Sequence, residues 1–259
     1  MFKIIKDKID EEFNPVLLNQ LMLKSIPKLE EIKGKDLVLF IGALGAGKST
    51  TINMLLGQNF KMVLSKYKNN KGKVVLRPAL IINNQNGNLK LAKMGHIDQS
   101  ETLYPEAFKN VDKSDIYYCD WPGFRDTRGT EARLAIFLAK LLTIQYARSI
   151  RGAVIVIDYE TERNKVLRLQ KHHIKDAECL EEFMKKDYAE SSIFIVNCRL
   201  QPTEFDVNTF RKNFSSTYGV KKKNVLFMTP EIIKSKMELA AFRKRMLRKL
   251  GKLKVVKKE

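Results

Sequence analysis

Residues Gly42-Ala43-Leu44-Gly45-Ala46-Gly47-Lys48-Ser49 constrain the fold of this chain more than any other eight positions. The apolar run Leu37-Val38-Leu39-Phe40-Ile41 precedes them, and Thr50-Thr51-Ile52-Asn53-Met54-Leu55-Leu56-Gly57 follows. The order is strand, Gly-rich turn, helix, with Gly57 as the helix stop. Glycines let the backbone curl so that successive N–H groups point inward at phosphate oxygens. The helix N-terminus adds partial positive charge at the same place. The candidate nucleotide-binding set of this segment is Gly42, Leu44, Gly45, Ala46, Gly47, Lys48, Ser49 and Thr50. Lys48 has the reach for β- and γ-phosphates, and the Ser49 hydroxyl is a ligand for Mg²⁺.

At 259 residues, with 44% hydrophobic residues, the chain has material for one moderately large domain or for one domain with extensions. No apolar stretch approaches the length of a membrane span. The start, Met1-Phe2-Lys3-Ile4-Ile5-Lys6, soon meets Asp7, Asp10, Glu11 and Glu12, which is not the pattern of a signal peptide. Cys119, Cys179 and Cys198 have no paired spacing, and Cys119 and Cys198 lie in apolar strand-like runs as small buried hydrophobes. The expected setting is the reduced cytoplasm, with peripheral membrane contact a further option. The net charge of +19 calls for an anionic partner (nucleotide, acidic lipid or nucleic acid) or else reflects a Lys-rich solvated surface. No basic motif interleaved with aromatics is present, which argues against nucleic acid.

Along residues 1–33, apolar positions Phe2, Ile5, Ile9, Phe13, Leu17, Leu18, Leu21 and Met22 keep helical spacing, interrupted at Pro15 and ended near Pro27. Residues 73–82 read as extended, Asn83–Asn88 as a turn, and 89–94 as the returning strand of a hairpin. Strands follow at 115–120, 152–158, 192–197 and 225–228. Helices are expected at 131–151, 161–188, 205–214 and 231–250. Apolar strands alternating with helices predict an α/β, three-layer P-loop architecture: a mainly parallel sheet flanked by helices, plus an inserted β-hairpin. The domain reading is an amphipathic helical extension over 1–33, the P-loop domain over 34–235, and a basic helix and tail over 236–259.

Two further segments complete a triphosphate site. Tyr117-Tyr118-Cys119-Asp120-Trp121-Pro122-Gly123-Phe124 is an apolar strand that delivers Asp120 at its carboxyl end, the acidic partner of a P-loop for Mg²⁺. Gly123 allows the backbone N–H a close approach to a γ-phosphate. In the polar loop Ser100-Glu101-Thr102-Leu103-Tyr104-Pro105, the Thr102 hydroxyl would complete the metal's coordination, with Ser100, Thr127 and Thr130 as rivals. The candidate metal ligands are therefore Ser49, Thr102 and Asp120.

Taken together, Gly42–Ser49, Thr102 and Asp120-Trp121-Pro122-Gly123-Phe124 resemble the translation-factor-class GTPases. The Asp-x-Pro-Gly-Phe form is most similar to the septin, chloroplast import receptor and immune-associated GTPase group. That resemblance implies a G domain over about residues 35–230 that binds GTP with Mg²⁺ and hydrolyses it as a switch. Two departures stand out. Guanine is usually read by Asn-Lys-x-Asp, whereas the strand at 193–196 ends in Asn197-Cys198-Arg199-Leu200. Asn197 remains a base contact, and the missing carboxylate leaves Glu204 or Asp206 as substitutes. Where Ras-like proteins carry a water-orienting glutamine, this chain has Phe124. Hydrolysis is then expected to be slow or partner-dependent. Arg125 or Arg128 would serve as a charge-stabilising finger, in cis or across a homodimer, or would pair with Asp126 and Glu131 instead. The catalytic candidates are Lys48, Thr102, Gly123 and Arg125. The alternative readings are an ATPase or relaxed-specificity NTPase, and a nucleotide-gated interaction module with negligible turnover. In that last case the basic termini would dock on an acidic membrane surface or a protein partner.

Overall fold

Val38 and Phe40 face one side of the sheet and Leu37, Leu39 and Ile41 the other, and all five are at most 2% exposed. Such burial on both faces needs a helical layer above and below, and the chain supplies both. In a computed structural model, the described residues are 13–43, 45–68, 74–83, 89–94, 104–110, 115–122, 129–160, 163, 190–199, 201–253 and 255. In chain order their elements are α1 (Pro15–Ile32), β1 (Asp36–Ile41), α2 (Lys48–Leu55), β2 (Phe60–Lys68), β3 (Val74–Ile82), β4 (Glu106–Lys109), β5 (Ile116–Asp120), α3 (Thr130–Tyr146), β6 (Ser149–Asp158), β7 (Ser192–Asn197), α4 (Glu204–Tyr218), β8 (Val225–Met228), α5 (Pro230–Lys234) and α6 (Lys236–Leu250). A 3₁₀ turn, Lys222–Asn224, leads into β8.

The main sheet runs β4-β5-β1-β6-β7-β8. All neighbours are parallel except β4, which pairs antiparallel with β5 at the edge. On one face, α4 sends Phe210 and Phe214 into a cluster with Phe194 and Phe227. On the other, α2 and α6 bury Ile52, Leu55, Leu239, Phe242, Met246 and Leu250. The expected three-layer α/β architecture with a mainly parallel sheet is therefore present. A two-stranded antiparallel sheet, β2–β3, is separate from it. No helix among the described residues is long and apolar enough to cross a membrane.

Several local expectations change. The hairpin pairs Phe60–Lys68 with Val74–Ile82 rather than 73–82 with 89–94. Ala92 instead binds the side chain of Asn53, which satisfies its backbone without a strand. Pro27 does not end α1. Interior proline removes one helical hydrogen bond, but the residue four positions earlier, Leu23, is 57% exposed, so water can meet its carbonyl. Burial of Leu29 and Ile32 carries the helix on. Pro15 sits at its first turn, where Asn14 Oδ1 accepts from the Leu17 N–H at 3.0 Å. The helix expected over 131–151 stops at Tyr146, because Ser149–Arg151 already belong to β6. Ser235 divides 231–250 into two helices by accepting from the Glu238 N–H. The helix expected over 161–188 lies almost wholly outside the described residues.

Candidate nucleotide-binding site

β1 is the switch point of the sheet: the chain goes from it to β5 on one side and then to β6 on the other. Ligands of open α/β sheets bind at the carboxyl ends of the strands at such a point. The loop 42–47 leaves β1 there and feeds α2. Its shape is held by neighbours. A Cβ on Gly42 would collide with the Val156 carbonyl of β6. Gly47 adopts φ +100°, and a Cβ there would collide with the Asn197 amide. Gly45, at φ +75°, also needs the left-handed region. The glycines at 42 and 47 thus answer to close approach of other strands.

A lysine that reaches for phosphate is expected outside the core, yet Lys48 is only 9% exposed. Its Nζ donates to the carbonyls of Gly42 (2.9 Å) and Ala43 (3.2 Å), which curls the ammonium back over the loop. Ser49 donates its hydroxyl to Asp120 Oδ2 at 2.7 Å. Asp120 is 2% exposed and ends β5, in register with Phe40 of β1. The two residues named from separate motifs therefore meet. A hydroxyl and a carboxylate beside a phosphate loop are the hard oxygen donors that Mg²⁺ takes, so the donor set fits that ion. Thr51 returns its hydroxyl to the Gly47 carbonyl at 2.9 Å and steadies the first turn of α2.

Asn197, at the end of β7, donates its amide to the Ala46 carbonyl at 3.0 Å. The predicted base-reading residue is thus in contact with the phosphate loop. The predicted substitute carboxylates lie near it in sequence, on α4. Asp206 is engaged by Arg163 through both carboxylate oxygens at 3.1 Å, and its N–H is capped by Thr203. Arg199 donates to Asp158 Oδ2 at 2.8 Å. Leu44, Thr102, Gly123, Phe124, Arg125 and Arg128 lie outside the described residues, as do Ser100 and Thr127. Thr130 opens α3 and accepts from Arg133 at 3.2 Å.

Other residues near the site escape sequence reading. Lys140 is 4% exposed, with Nζ 5.8 Å from the ring centroid of Trp121, the neighbour of Asp120. The spacing Ala132, Ala135, Ile136, Ala139, Lys140, Thr143 would have placed this lysine on the buried face of α3. The helix α1 touches residues next to both predicted phosphate-sensing segments. Tyr104 donates its hydroxyl to the Leu21 carbonyl at 2.6 Å, and the Asn14 N–H donates to Glu131 at 2.7 Å. Lys28 and Lys90 both reach Glu106 of β4, at 2.7 and 3.1 Å. Their bonds hold the Glu106 carboxyl below its ordinary pKa against the opposing effect of burial. The two described cysteines are buried and off the site. Burial pushes the Cys119 thiol far up and that of Cys198 up to about 12, so both are inert hydrophobes as expected.

No protein-family model matches the sequence, and no curated protein matches it. Solved structures do. A probable GTP-binding protein EngB aligns over 83% of this chain and 98% of its own, with 17% identity and a TM-score of 0.49. Toc33 from Arabidopsis thaliana in complex with Mg²⁺ and GMPPNP aligns over 95% of this chain and 97% of its own, with 14% identity and a TM-score of 0.42. A dimerisation-deficient mutant of Toc33 gives 12% identity and a TM-score of 0.43 over the same shares.

Proposed function

We propose that this chain is a GTP-binding switch that hydrolyses GTP slowly with Mg²⁺. The observation that carries the reading is the 2.7 Å contact between Ser49 and Asp120, which joins the end of the phosphate loop to the end of β5. In this reading GTP phosphates take the place of the Gly42 and Ala43 carbonyls as partners of Lys48, and the loop N–H groups share their charge. Ser49 and Asp120, joined by Thr102, would hold Mg²⁺, which neutralises phosphate charge when bound. Gly123 offers its N–H to the γ-phosphate. Asn197 braces the loop from the base side and contacts guanine.

Slow hydrolysis follows from Phe124, which has no group to orient water. Arg125 is the candidate to supply charge, within the chain or across a homodimer on the nucleotide face. The ion pairs Arg199–Asp158 and Arg163–Asp206 favour a second reading, a relaxed-specificity NTPase, because they engage carboxylates near the base corner. The test is equilibrium binding of GTP and ATP analogues with and without Mg²⁺. The first reading expects tighter guanine binding that weakens when Mg²⁺ is removed, and equal affinities select the second.

A further inference from the structure

We propose that a basic ridge formed by α6, the turn at Lys222–Asn224 and Arg211 of α4 docks this protein on an anionic phospholipid surface, with the nucleotide site facing away. The fifteen residues of α6 carry Lys236, Arg243, Lys244, Arg245, Arg248 and Lys249 against the single carboxylate of Glu238. Leu239, Phe242, Met246 and Leu250 fill its inner face, so the cations occupy the remainder. Arg243 serves the fold itself, since its Nε donates to the Leu55 carbonyl at 2.9 Å and caps α2. Lys244, Arg245, Arg248 and, just beyond the helix, Lys252 are exposed.

These charges crowd one another. Burial and the neighbouring Arg245, Lys223 and Lys252 hold the Lys249 ammonium below its ordinary value. Burial and Arg245 do the same to Arg211. Arg211 is tied to the start of β8, its Nε donating to the Val225 carbonyl at 3.4 Å, and the Lys222–Asn224 turn enters the same strand, so the cations of α4, of the turn and of the end of α6 flank one edge of the sheet. Lys221 meets Glu190 at 3.5 Å on the rim. Repulsion of this kind is relieved by an anionic surface.

Position separates the ridge from the nucleotide. The phosphate loop, Asp120 and Asn197 lie at the carboxyl ends of the parallel strands. The Lys222–Asn224 turn enters β8 at its amino end, and Leu253 packs at Gly152 near the start of β6. The charge here is thus not explained by the triphosphate. Lipid fits better than nucleic acid. Phe242 of α6 and Phe227 of β8 are buried and offer nothing to stack on bases. Half-buried Leu247 on α6 and exposed Val255 just beyond it lie among the cations, as apolar residues do in segments at a membrane interface. Ala240, Arg243, Lys244, Leu247 and Arg248 line one open strip along α6, where three cations stand side by side.

The test is flotation of the full chain with phosphatidylcholine vesicles, with and without phosphatidylserine. Binding only to the phosphatidylserine vesicles, weakened by salt, is expected. Combined reversal Lys223→Glu, Arg245→Glu and Lys249→Glu should weaken it about tenfold or more, with thermal melting and GTP-analogue binding as controls for the fold. Reversal of the exposed Lys24, Lys61 and Lys109, which lowers net charge by the same amount, should leave most binding in place. Equal loss in both triple variants would overturn the assignment to this ridge. So would absence of vesicle binding, or retention of an RNA or DNA duplex with no preference for vesicles.

Discussion

Asn53 and Ala92 exchange two hydrogen bonds in the core: Asn53 Nδ2 donates to the Ala92 carbonyl at 2.8 Å, and the Ala92 N–H donates to Asn53 Oδ1 at 2.9 Å. One side chain on α2 thereby replaces a strand partner for the segment that leads from the hairpin toward Thr102. Asn53 is fully buried and Ala92 is 3% exposed. Asn53→Ala leaves a buried N–H and carbonyl unpaired, for a loss of about 2–4 kcal/mol. Urea unfolding measures it, and a loss below about 1 kcal/mol, the value of one ordinary hydrogen bond, would show that water repairs the site.

Asp120→Asn and Ser49→Ala should each reduce Mg²⁺-dependent nucleotide affinity, because they remove one half of the oxygen pair at 2.7 Å. Affinity measured in chelator should change far less. Lys48→Ala should lower triphosphate affinity about a hundredfold or more, and it also strips the Gly42 and Ala43 carbonyls of a donor. Unchanged affinity in a folded Lys48→Ala variant would remove the phosphate-loop assignment.

Gly47→Ala meets two obstacles, the positive φ and the Asn197 amide. Asn197→Ala relieves only the second. The double variant should therefore recover part of the stability lost in Gly47→Ala and none of the guanine preference. A double-mutant cycle on melting temperature and on GTP against ATP binding reads both quantities. Strict additivity would show that the two residues do not press on each other.

Asp36 gives a pH signature unrelated to nucleotide. Its hydrogen bond with the Arg148 guanidinium, at 2.8 and 2.9 Å, leads the causes that hold its carboxyl down at about 2 against burial. The unfolded chain would titrate near the ordinary value of about 3.9, so between the two the unfolded state binds the proton. The resulting stability is present above about pH 4 and is lost as pH falls toward 2. Asp36→Asn should flatten that part of the stability profile in acid unfolding curves, and an unchanged slope would assign it to other carboxylates.

Sequence reading locates the parts of the fold that are densely apolar or glycine-rich. β1, β5, β6, β7 and β8 are short apolar runs, and the Gly42–Ser49 turn has few alternative conformations. Asp120 is legible because a lone carboxylate at the end of such a run needs a partner. β4 is not legible: four residues, Glu106–Lys109, pair only by virtue of the neighbouring β5. Sequence assigns the hairpin the wrong second strand because Asn86-Gly87 is a strong turn signal, and the competing pairing depends on contacts remote in sequence. Likewise Asn53 sits in an ordinary helical position, and only packing shows that it points a polar group into the interior, whereas the apolar spacing around Lys140 already marks the buried face of α3.

The contacts of Gly42 with β6 and of Gly47 with Asn197 have a thermodynamic consequence. Strands of the main sheet press on both glycines of the proposed phosphate loop, so the backbone shape at these two positions is set by the folding of the sheet itself. If the loop holds a triphosphate as proposed, binding carries little cost for ordering these two positions. The ligand should act on the whole fold by mass action, raising the melting temperature with the logarithm of its free concentration above the dissociation constant.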